Sequence, residues 1–243
     1  TMQGDDFFKM IRYARSKNIW VRTVTNASLL HLRDNYASLI NSGVNEIQIS
    51  IDAADKKTFE GIRPGSNFEQ IIENCKLINN YAKERNLLRT KMWTVVQQKN
   101  IRKLKPLVTF AAELGFKRQV FSLGLVNWGQ DEWLRRNNDK NEVSREFTYQ
   151  MGQELLELGK KYDVQVQFWK VLDKYKKKSK ETLCAWPFER AYISSDNRVV
   201  PCCMVANPDI FEIGNNASLK DIWNSDDYKN FRKAHLDGNI PKI

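Results

Sequence analysis

The sequence predicts an α/β protein, with a parallel sheet in its first half and a smaller cysteine-bearing unit behind it. From residue 5 to about residue 125, strand-like and helix-like stretches alternate at the spacing of parallel strands joined by right-handed crossovers. Three of the four cysteines lie at or beyond Cys184, around a short two-strand pattern. We therefore expect a barrel segment or an open sheet, followed by a small α+β unit.

The individual elements follow from apolar periodicity and from the residues that begin or end helices. Asp5 and Asp6 can cap a helix whose apolar side chains share one face. Gly43 and Gly115 each suit the end of a helix, because glycine readily adopts the left-handed conformation found there. In chain order, we expect a helix from residue 5, a strand at 19–25, a helix at 29–42, a strand at 46–52, a helix from residue 68, a strand at 90–96, a helix at 101–114, a strand at 119–125, a helix at 142–161 and a strand at 164–169.

The composition is that of an ordinary globular chain, with 42% hydrophobic and 28% charged residues among 243. No apolar run approaches the roughly 20 residues needed to span a bilayer, so we expect no membrane partner. Four cysteines, two of them adjacent, do not resemble a secreted disulfide framework, and a reducing cytoplasm is expected. Much of the formal charge of +10 lies at 170–180, which favours a solvated linker over a nucleic-acid site.

Short polar side chains recur where the strands of the first half end. In parallel α/β folds, binding sites gather at the carboxyl ends of the strands. Any one of these residues could simply start a turn or cap a helix, but four successive strand ends favour a site for a polar ligand such as ribose or an amino acid. The residues are Thr25, Asn26, Ser50, Asp52, Gln97, Gln98, Asn100 and Asn127.

The cysteines at the carboxyl-terminal side indicate a metal or iron–sulfur site. Cys184 and Cys202 bracket the two-strand pattern, and soft thiolates around a tight turn suit such a site. Cys203 points away from its neighbour if the chain is extended, and Cys75 lies on an apolar helix stripe, as a core residue would. A zinc site formed by the two bracketing cysteines with Cys203 and His235 is the alternative.

The spacing of this segment resembles the SPASM region found behind the catalytic barrel of many radical S-adenosylmethionine (SAM) enzymes. Cys184 is followed by twelve residues, Asn197, four residues and Cys202. Asn197 stands where the family has glycine, which is tolerable because asparagine also enters the left-handed region. The stretches at 214–215 and 219–225, and then Arg232, follow the same course. The resemblance implies that Cys184 and Cys202 bind an auxiliary 4Fe–4S cluster, and that the closing cysteines of the pattern lie beyond the given sequence.

The first half looks like the middle of a radical SAM domain, with strands three to six of a six-stranded partial (β/α) barrel. The resemblance is carried by Thr25-Asn26, by Ser50-Ile-Asp52 and by Gly-Ile-Arg63-Pro-Gly. It implies that SAM is a cofactor bound at Thr25, Asn26, Ser50 and Asp52, and that Ser50 and Asp52 contact its ribose and amino-acid part. Arg63 would pair with the SAM carboxylate, to which arginine offers two donors.

One departure from the family is the absence of the CxxxCxxC motif that holds its catalytic 4Fe–4S cluster. We therefore expect a fragment, inactive alone, with a partial barrel at 1–174 and a truncated SPASM-like domain at 175–243. The intact enzyme would cleave SAM to a 5′-deoxyadenosyl radical and abstract hydrogen from a peptide, cofactor precursor or sugar. Flavodoxin or ferredoxin would be its reductant. The alternative is a non-catalytic zinc- or nucleic-acid-binding module on an α/β scaffold.

Overall fold

A computed structural model describes residues 4–123, 132, 146–169, 184–203, 206–215 and 218–238. They fall into two compact units, the first containing residues 4–123 and 146–169 and the second containing residues 184–238 of the described set. The boundary expected near residue 175, the lysine-rich stretch at 170–180 and Asn127 lie outside the described residues. Within the described residues, no helix combines the length and apolar character that a membrane span requires.

The sheet of the first unit has five strands, all parallel, in the order β1-β2-β3-β4-β5. The strands are β1 (Arg22–Thr25), β2 (Glu46–Ser50), β3 (Thr90–Val95), β4 (Arg118–Ser122) and β5 (Gln165–Trp169). Every expected strand of the first half is thus present. The last, β5, continues the same sheet, which has one strand more than the four assigned by resemblance.

The described helices of this unit are α1 (Asp5–Ser16), α2 (Asn35–Asn41), α3 (Lys56–Ile62), α4 (Phe68–Lys83), α5 (Leu104–Glu113) and α6 (Tyr149–Lys161). Short 3₁₀ turns at Leu32–Asp34 and Ile101–Lys103 precede α2 and α5. Asn67 caps α4 by accepting a hydrogen bond from the backbone N–H of Gln70.

Three helices differ from the expectation. The helix expected at 29–42 is broken, because Arg33 and Asp34 adopt left-handed backbone angles with φ of 49° and 53°. The helix expected at 142–161 begins only after Thr148, whose hydroxyl accepts a hydrogen bond from the backbone N–H of Met151. Helix α3 was not expected, and Asp55 caps it by accepting from the N–H of Thr58.

The helices cover one face of the sheet. The buried core includes alternate strand positions, such as Ile47 and Ile49 of β2, Met92 of β3 and Phe121 of β4. Cys75 of α4 belongs to the same core, as expected, and burial raises the pKa of its thiol to about 12. The side chains between these core positions lie on the opposite face, which is where a site can form.

The described residues of the second unit form a small antiparallel sheet, β6-β7-β8, and three helices. Its elements are α7 (Trp186–Glu189), β6 (Tyr192–Ile193), β7 (Arg198–Val200), β8 (Gly214–Asn215), α8 (Leu219–Asn224) and α9 (Asp226–Leu236). Asn197 is in the left-handed conformation, with φ of 64°, at the turn where the sequence required it. Its buried core consists of Val199, Ile213, Ile222, Tyr228 and Phe231.

Candidate functional site

The carboxyl edge of the parallel sheet brings together the polar side chains expected there. Thr25 pairs with Ile49 in register, so Asn26 and Ser50 follow at the same level of neighbouring strands. The side-chain carbonyl of Asn26 accepts from the backbone N–H of Ser28 at 3.1 Å, which leaves its amide NH₂ without a partner among the described residues. The Ser50 hydroxyl is equally unpaired within that set. Both groups are therefore available to a ligand.

Thr25 shapes the turn at this edge. It is 7% exposed, and its hydroxyl oxygen accepts a hydrogen bond from the backbone N–H of Ala27 at 3.1 Å. Ala27 has a left-handed φ of 62°, so this hydrogen bond helps to hold a backbone conformation that alanine rarely adopts. The threonine thus supports the position of Asn26.

A buried carboxylate lies beside these groups. Asp52 is 2% exposed, and one of its carboxylate oxygens accepts from the backbone N–H of Val95 at 2.8 Å. Its other oxygen accepts from Nε of Arg63 at 2.7 Å. Asn100, fully buried, donates its side-chain amide to the backbone oxygens of Asp52 and Val95. Asp52 therefore connects the ends of β2 and β3 to the arginine that follows α3.

Arg63 is the exposed member of this group. Its side chain is 29% exposed, and neither Nη nitrogen contacts another described residue. Because Asp52 holds Nε, the guanidinium plane is oriented while its outer donors stay free. Such an arrangement suits a planar anion, for which arginine provides two parallel donors.

The sheet face opposite the helices is polar and aromatic. Ser50 pairs in register with Trp93 of β3, and Trp93 in turn with Val120 of β4. At the end of β5, the indole of Trp169 lies 5.7 Å from that of Trp93 between ring centroids. The signal in the sequence is the alternation from Glu46 to Asp52, in which every second residue is polar.

Sequence reasoning missed a charged cluster near the amino end of this face. Glu46 is 6% exposed, and one of its oxygens lies 2.6 Å from Arg22 Nε and 2.8 Å from Lys91 Nζ. Its other oxygen lies 3.1 Å from Nη1 of Arg118. Burial acts to raise the pKa of Glu46, but the hydrogen bond and charge of Lys91, with both arginines, outweigh it and lower that pKa. The cluster joins four strands through one carboxylate.

In the second unit, the two expected ligand cysteines lie on either side of the β6–β7 strand pair along the chain. Cys184 precedes α7, Cys202 follows β7, and both are free, partly exposed thiols. His235, 7% exposed, has Nε2 at 3.0 Å from the backbone oxygen of Cys184. Since a carbonyl only accepts, Nε2 carries the proton and fixes the backbone of Cys184.

The zinc alternative is not assembled. It requires Cys184, Cys202, Cys203 and His235 together, yet no three histidine, cysteine or carboxylate side chains converge within the described part of the chain. The Nε2 atom of His235 is also already used as a donor.

The surroundings of the cysteines test whether an iron–sulfur cluster fits. Nη2 of Arg232 and Nε1 of Trp186 are buried donors for which the described structure offers no acceptor. Arg232 donates through Nε to the backbone oxygen of Pro187, which is close in sequence to Cys184. Burial raises the pKa of Tyr228. The positive charge of Arg232 acts to lower that pKa, and a negative charge on Cys202 acts to raise it. Tyr228, Arg232 and Cys202 are therefore close enough to interact electrostatically. A thiolate-bound cluster would supply the missing acceptors, so the residues fit the group.

Comparison with known proteins agrees with this geometry. Residues 184–242 match the SPASM family, described as an iron-sulfur cluster-binding domain. No curated protein sequence matches the chain.

Among solved structures, the fold is similar to Streptococcus suis SuiB bound to S-adenosylmethionine, with a TM-score of 0.64 and 17% identity over 95% of this chain and 54% of that one. SuiB bound to its precursor peptide SuiA gives a TM-score of 0.62 and 15% identity, over 95% and 53%. The chain thus spans about half the length of SuiB.

A third structure is anSMEcpe with bound AdoMet and the Kp18Cys peptide, with a TM-score of 0.57 and 14% identity over 97% of this chain and 67% of that one. SuiB and anSMEcpe have thus each been solved with S-adenosylmethionine bound. These matches confirm the resemblance stated from the sequence. Residues 184–242 therefore match the SPASM iron–sulfur cluster-binding domain, and the chain shares its fold with SuiB and anSMEcpe.

Proposed function

We propose that this chain supplies the SAM-binding sheet edge and the auxiliary-cluster domain of a radical SAM enzyme that modifies a peptide. The SPASM family match, which spans Cys184 and Cys202, is the observation that carries the proposal. The peptide class is supported by SuiB and anSMEcpe, each of which has been crystallised with a peptide. A flavodoxin- or ferredoxin-type reductant and a cytoplasmic location complete the proposal.

At the sheet edge, the side chains divide into those that contact SAM and those that position them. Asn26 and Ser50 offer an unpaired amide and hydroxyl to the ribose and amino-acid part. Arg63 offers its free Nη donors to the SAM carboxylate. The side-chain oxygens of Asp52 and Thr25 accept hydrogen bonds from other groups of the protein. We therefore propose that Asp52 orients Arg63 and that Thr25 stabilises the turn at Asn26.

In the second unit, Cys184 and Cys202 would hold the auxiliary 4Fe–4S cluster through their thiolates. His235 fixes the backbone of Cys184, and the turn at Asn197 sets the course of β7 into Cys202. When bound, such a cluster accepts or relays one electron, or helps to position substrate.

The radical-generating step is not assigned to any residue of this chain. The sequence contains no CxxxCxxC, and its cysteines are Cys75, Cys184, Cys202 and Cys203 alone. We propose that the residues of the polar sheet face, including Trp93 and Trp169, line the space in which substrate meets SAM.

The test is the iron and sulfide content of the protein after anaerobic reconstitution. We expect the wild-type protein to bind an auxiliary cluster, and Cys184→Ser and Cys202→Ser to lose most of its iron and sulfide. Cys75→Ala is the matched control, because that thiol is in the apolar core and should leave the cluster unchanged. Zinc in place of iron and sulfide, or serine variants that keep the wild-type content, would overturn the proposal.

A further inference from the structure

The second unit contains a guanidinium that is anchored on several sides but has no counter-charge among the described residues. Arg232 donates from Nε to the backbone oxygen of Pro187 and from Nη1 to that of Trp223, each at 2.9 Å. Its central carbon lies 4.1 Å from the ring centroids of Trp223 and Tyr228. These contacts leave the side chain little freedom to reach solvent.

The remaining nitrogen of this guanidinium is the unusual one. Nη2 of Arg232 is buried without an acceptor, and no carboxylate pairs with the side chain in the described part of the unit. Arg198 of the same unit provides the contrast, because it pairs with Asp196 and Asp209 at 2.7 Å each. Arg232 as a whole is only half-buried, but a buried N–H donor of a cation without an acceptor is costly, so a negatively charged acceptor is expected to complete the site.

We infer that Arg232 donates N–H···S hydrogen bonds from Nη2 to the auxiliary cluster held by Cys184 and Cys202, with Trp186 Nε1 as a second donor. This inference rests on the proposed function, since it needs the cluster. A thiolate-bound iron–sulfur cluster is anionic, and its sulfurs accept hydrogen bonds. Both donors lie in the unit that carries the two cysteines, and Trp186 follows Cys184 by two positions.

The consequence is a control on the reduction potential of the cluster. Reduction adds one electron and therefore one negative charge, which a fixed cation and N–H donors stabilise more than they stabilise the oxidised form. The effect is stronger than in water, because the protein around the donors lowers the effective dielectric constant. Arg232 is thus a positioning and redox-tuning residue rather than a ligand of the cluster.

The experiment is a redox titration of the reconstituted complete protein, with the cluster followed by absorbance and electron paramagnetic resonance. We expect Arg232→Met to lower the ratio of reduced to oxidised cluster at a fixed potential by at least tenfold, which is about 59 mV for a one-electron couple. The Trp186→Phe substitution should lower this ratio less than Arg232→Met does. Arg232→Lys should restore part of the shift, because it keeps the charge but loses the planar donors.

Arg198→Gln is the matched control, since it also removes one positive charge from this unit, but one that carboxylates already neutralise. Equal shifts in the Arg232→Met and Arg198→Gln proteins, or none in either, would overturn the inference while leaving the cluster itself established. Wild-type protein that forms no cluster would overturn the proposed function and this inference with it. If the Arg232→Met protein does not fold, the redox titrations of the Trp186→Phe and Arg232→Lys proteins test the inference instead. A reduction potential equal to that of the wild type in both variants would contradict the inference.

Discussion

At the scale of single residues, the assignments depend on which polar atoms are already used inside the protein. Asn26 and Arg63 keep donors free, whereas Asp52 uses both carboxylate oxygens for internal hydrogen bonds. The sequence placed all three at one edge of the sheet. It could not separate the groups that we propose to bind SAM from those that we propose to position them, because Asp52 is placed in the second class by its contact with Val95, which is far away along the chain.

Replacing Arg63 by methionine should weaken SAM binding by roughly ten- to a hundredfold, since a hydrogen bond to a charged group contributes about 1.5–3 kcal/mol. The control is Lys57→Met on α3, because Lys57 is exposed and makes no hydrogen bond or ion pair with another described residue. Isothermal titration calorimetry with SAM measures both variants. Equal affinities in the two would show that Arg63 does not hold the carboxylate.

At the scale of elements, an ion cluster around Glu46 and the close packing at Gly159 join the strands and helices of the first unit. The carboxylate of Glu46 joins β1, β2, β3 and β4 through three cations. Helix α6 approaches β5 so closely that a Cβ built on Gly159 would lie 2.6 Å from the backbone oxygen of Val164. Sequence periodicity predicted the helices and strands. It did not predict the ion cluster or the close approach at Gly159, because both depend on the distance between elements.

Replacing Glu46 by glutamine should destabilise the protein at neutral pH by about 3–5 kcal/mol, as expected when one member of a buried ion cluster is lost. The pKa of Glu46 is lowered on folding, so its contribution is complete above the ordinary value of 4.5 and is lost as the pH falls through the folded value. Urea unfolding across this range should therefore show the difference between wild type and variant shrinking in acid. Glu69→Gln, which removes an exposed pair with Lys56, should have little effect at any pH. A constant difference down to strongly acidic pH would contradict the role of the charge.

Two of the helical glycines, Gly159 and Gly61, should respond oppositely to alanine. Gly159→Ala should cost about 1–3 kcal/mol, because the new methyl group would also meet Cγ2 of Val166 at 2.7 Å. Gly61→Ala in α3 should stabilise by about 0.5–1 kcal/mol, since no atom lies within 4 Å and alanine is the better helix former. Thermal unfolding checks the sign of each effect. Stabilisation by Gly159→Ala would mean that α6 and β5 are further apart than described.

At the scale of the whole molecule, the strands were predictable because alternation and buried apolar runs are local signals. The break in the helix at 29–42 was not, because it depends on left-handed angles at Arg33 and Asp34 that their residue types do not require. The third small strand, Gly214–Asn215, is too short to produce a periodic pattern. The cysteine spacing was sufficient for the SPASM assignment, but the orphaned donor of Arg232 could be found only in three dimensions.

Removal of the auxiliary cluster should affect the two units unequally. The second unit has a small buried core, and bound metal contributes directly to the stability of such units. Differential scanning calorimetry should show two unfolding transitions. The midpoint temperature of the transition of the second unit should rise markedly when the cluster is loaded, whereas that of the first unit should change little. Parallel measurements on the Cys202→Ser protein should show no rise with iron and sulfide. A single transition that is insensitive to loading would contradict this expectation.

The hydrogen bond from Val95 to Asp52 has a further consequence for exchange with solvent. The amide proton of Val95 can exchange only when Asp52 releases it, and Asp52 is also bound to Arg63. If SAM holds the outer donors of Arg63, opening of this linkage becomes rarer and deuterium uptake at Val95 slows. A backbone proton on β3 would then report occupancy of a ligand that it never touches, and Arg63→Met should abolish the response.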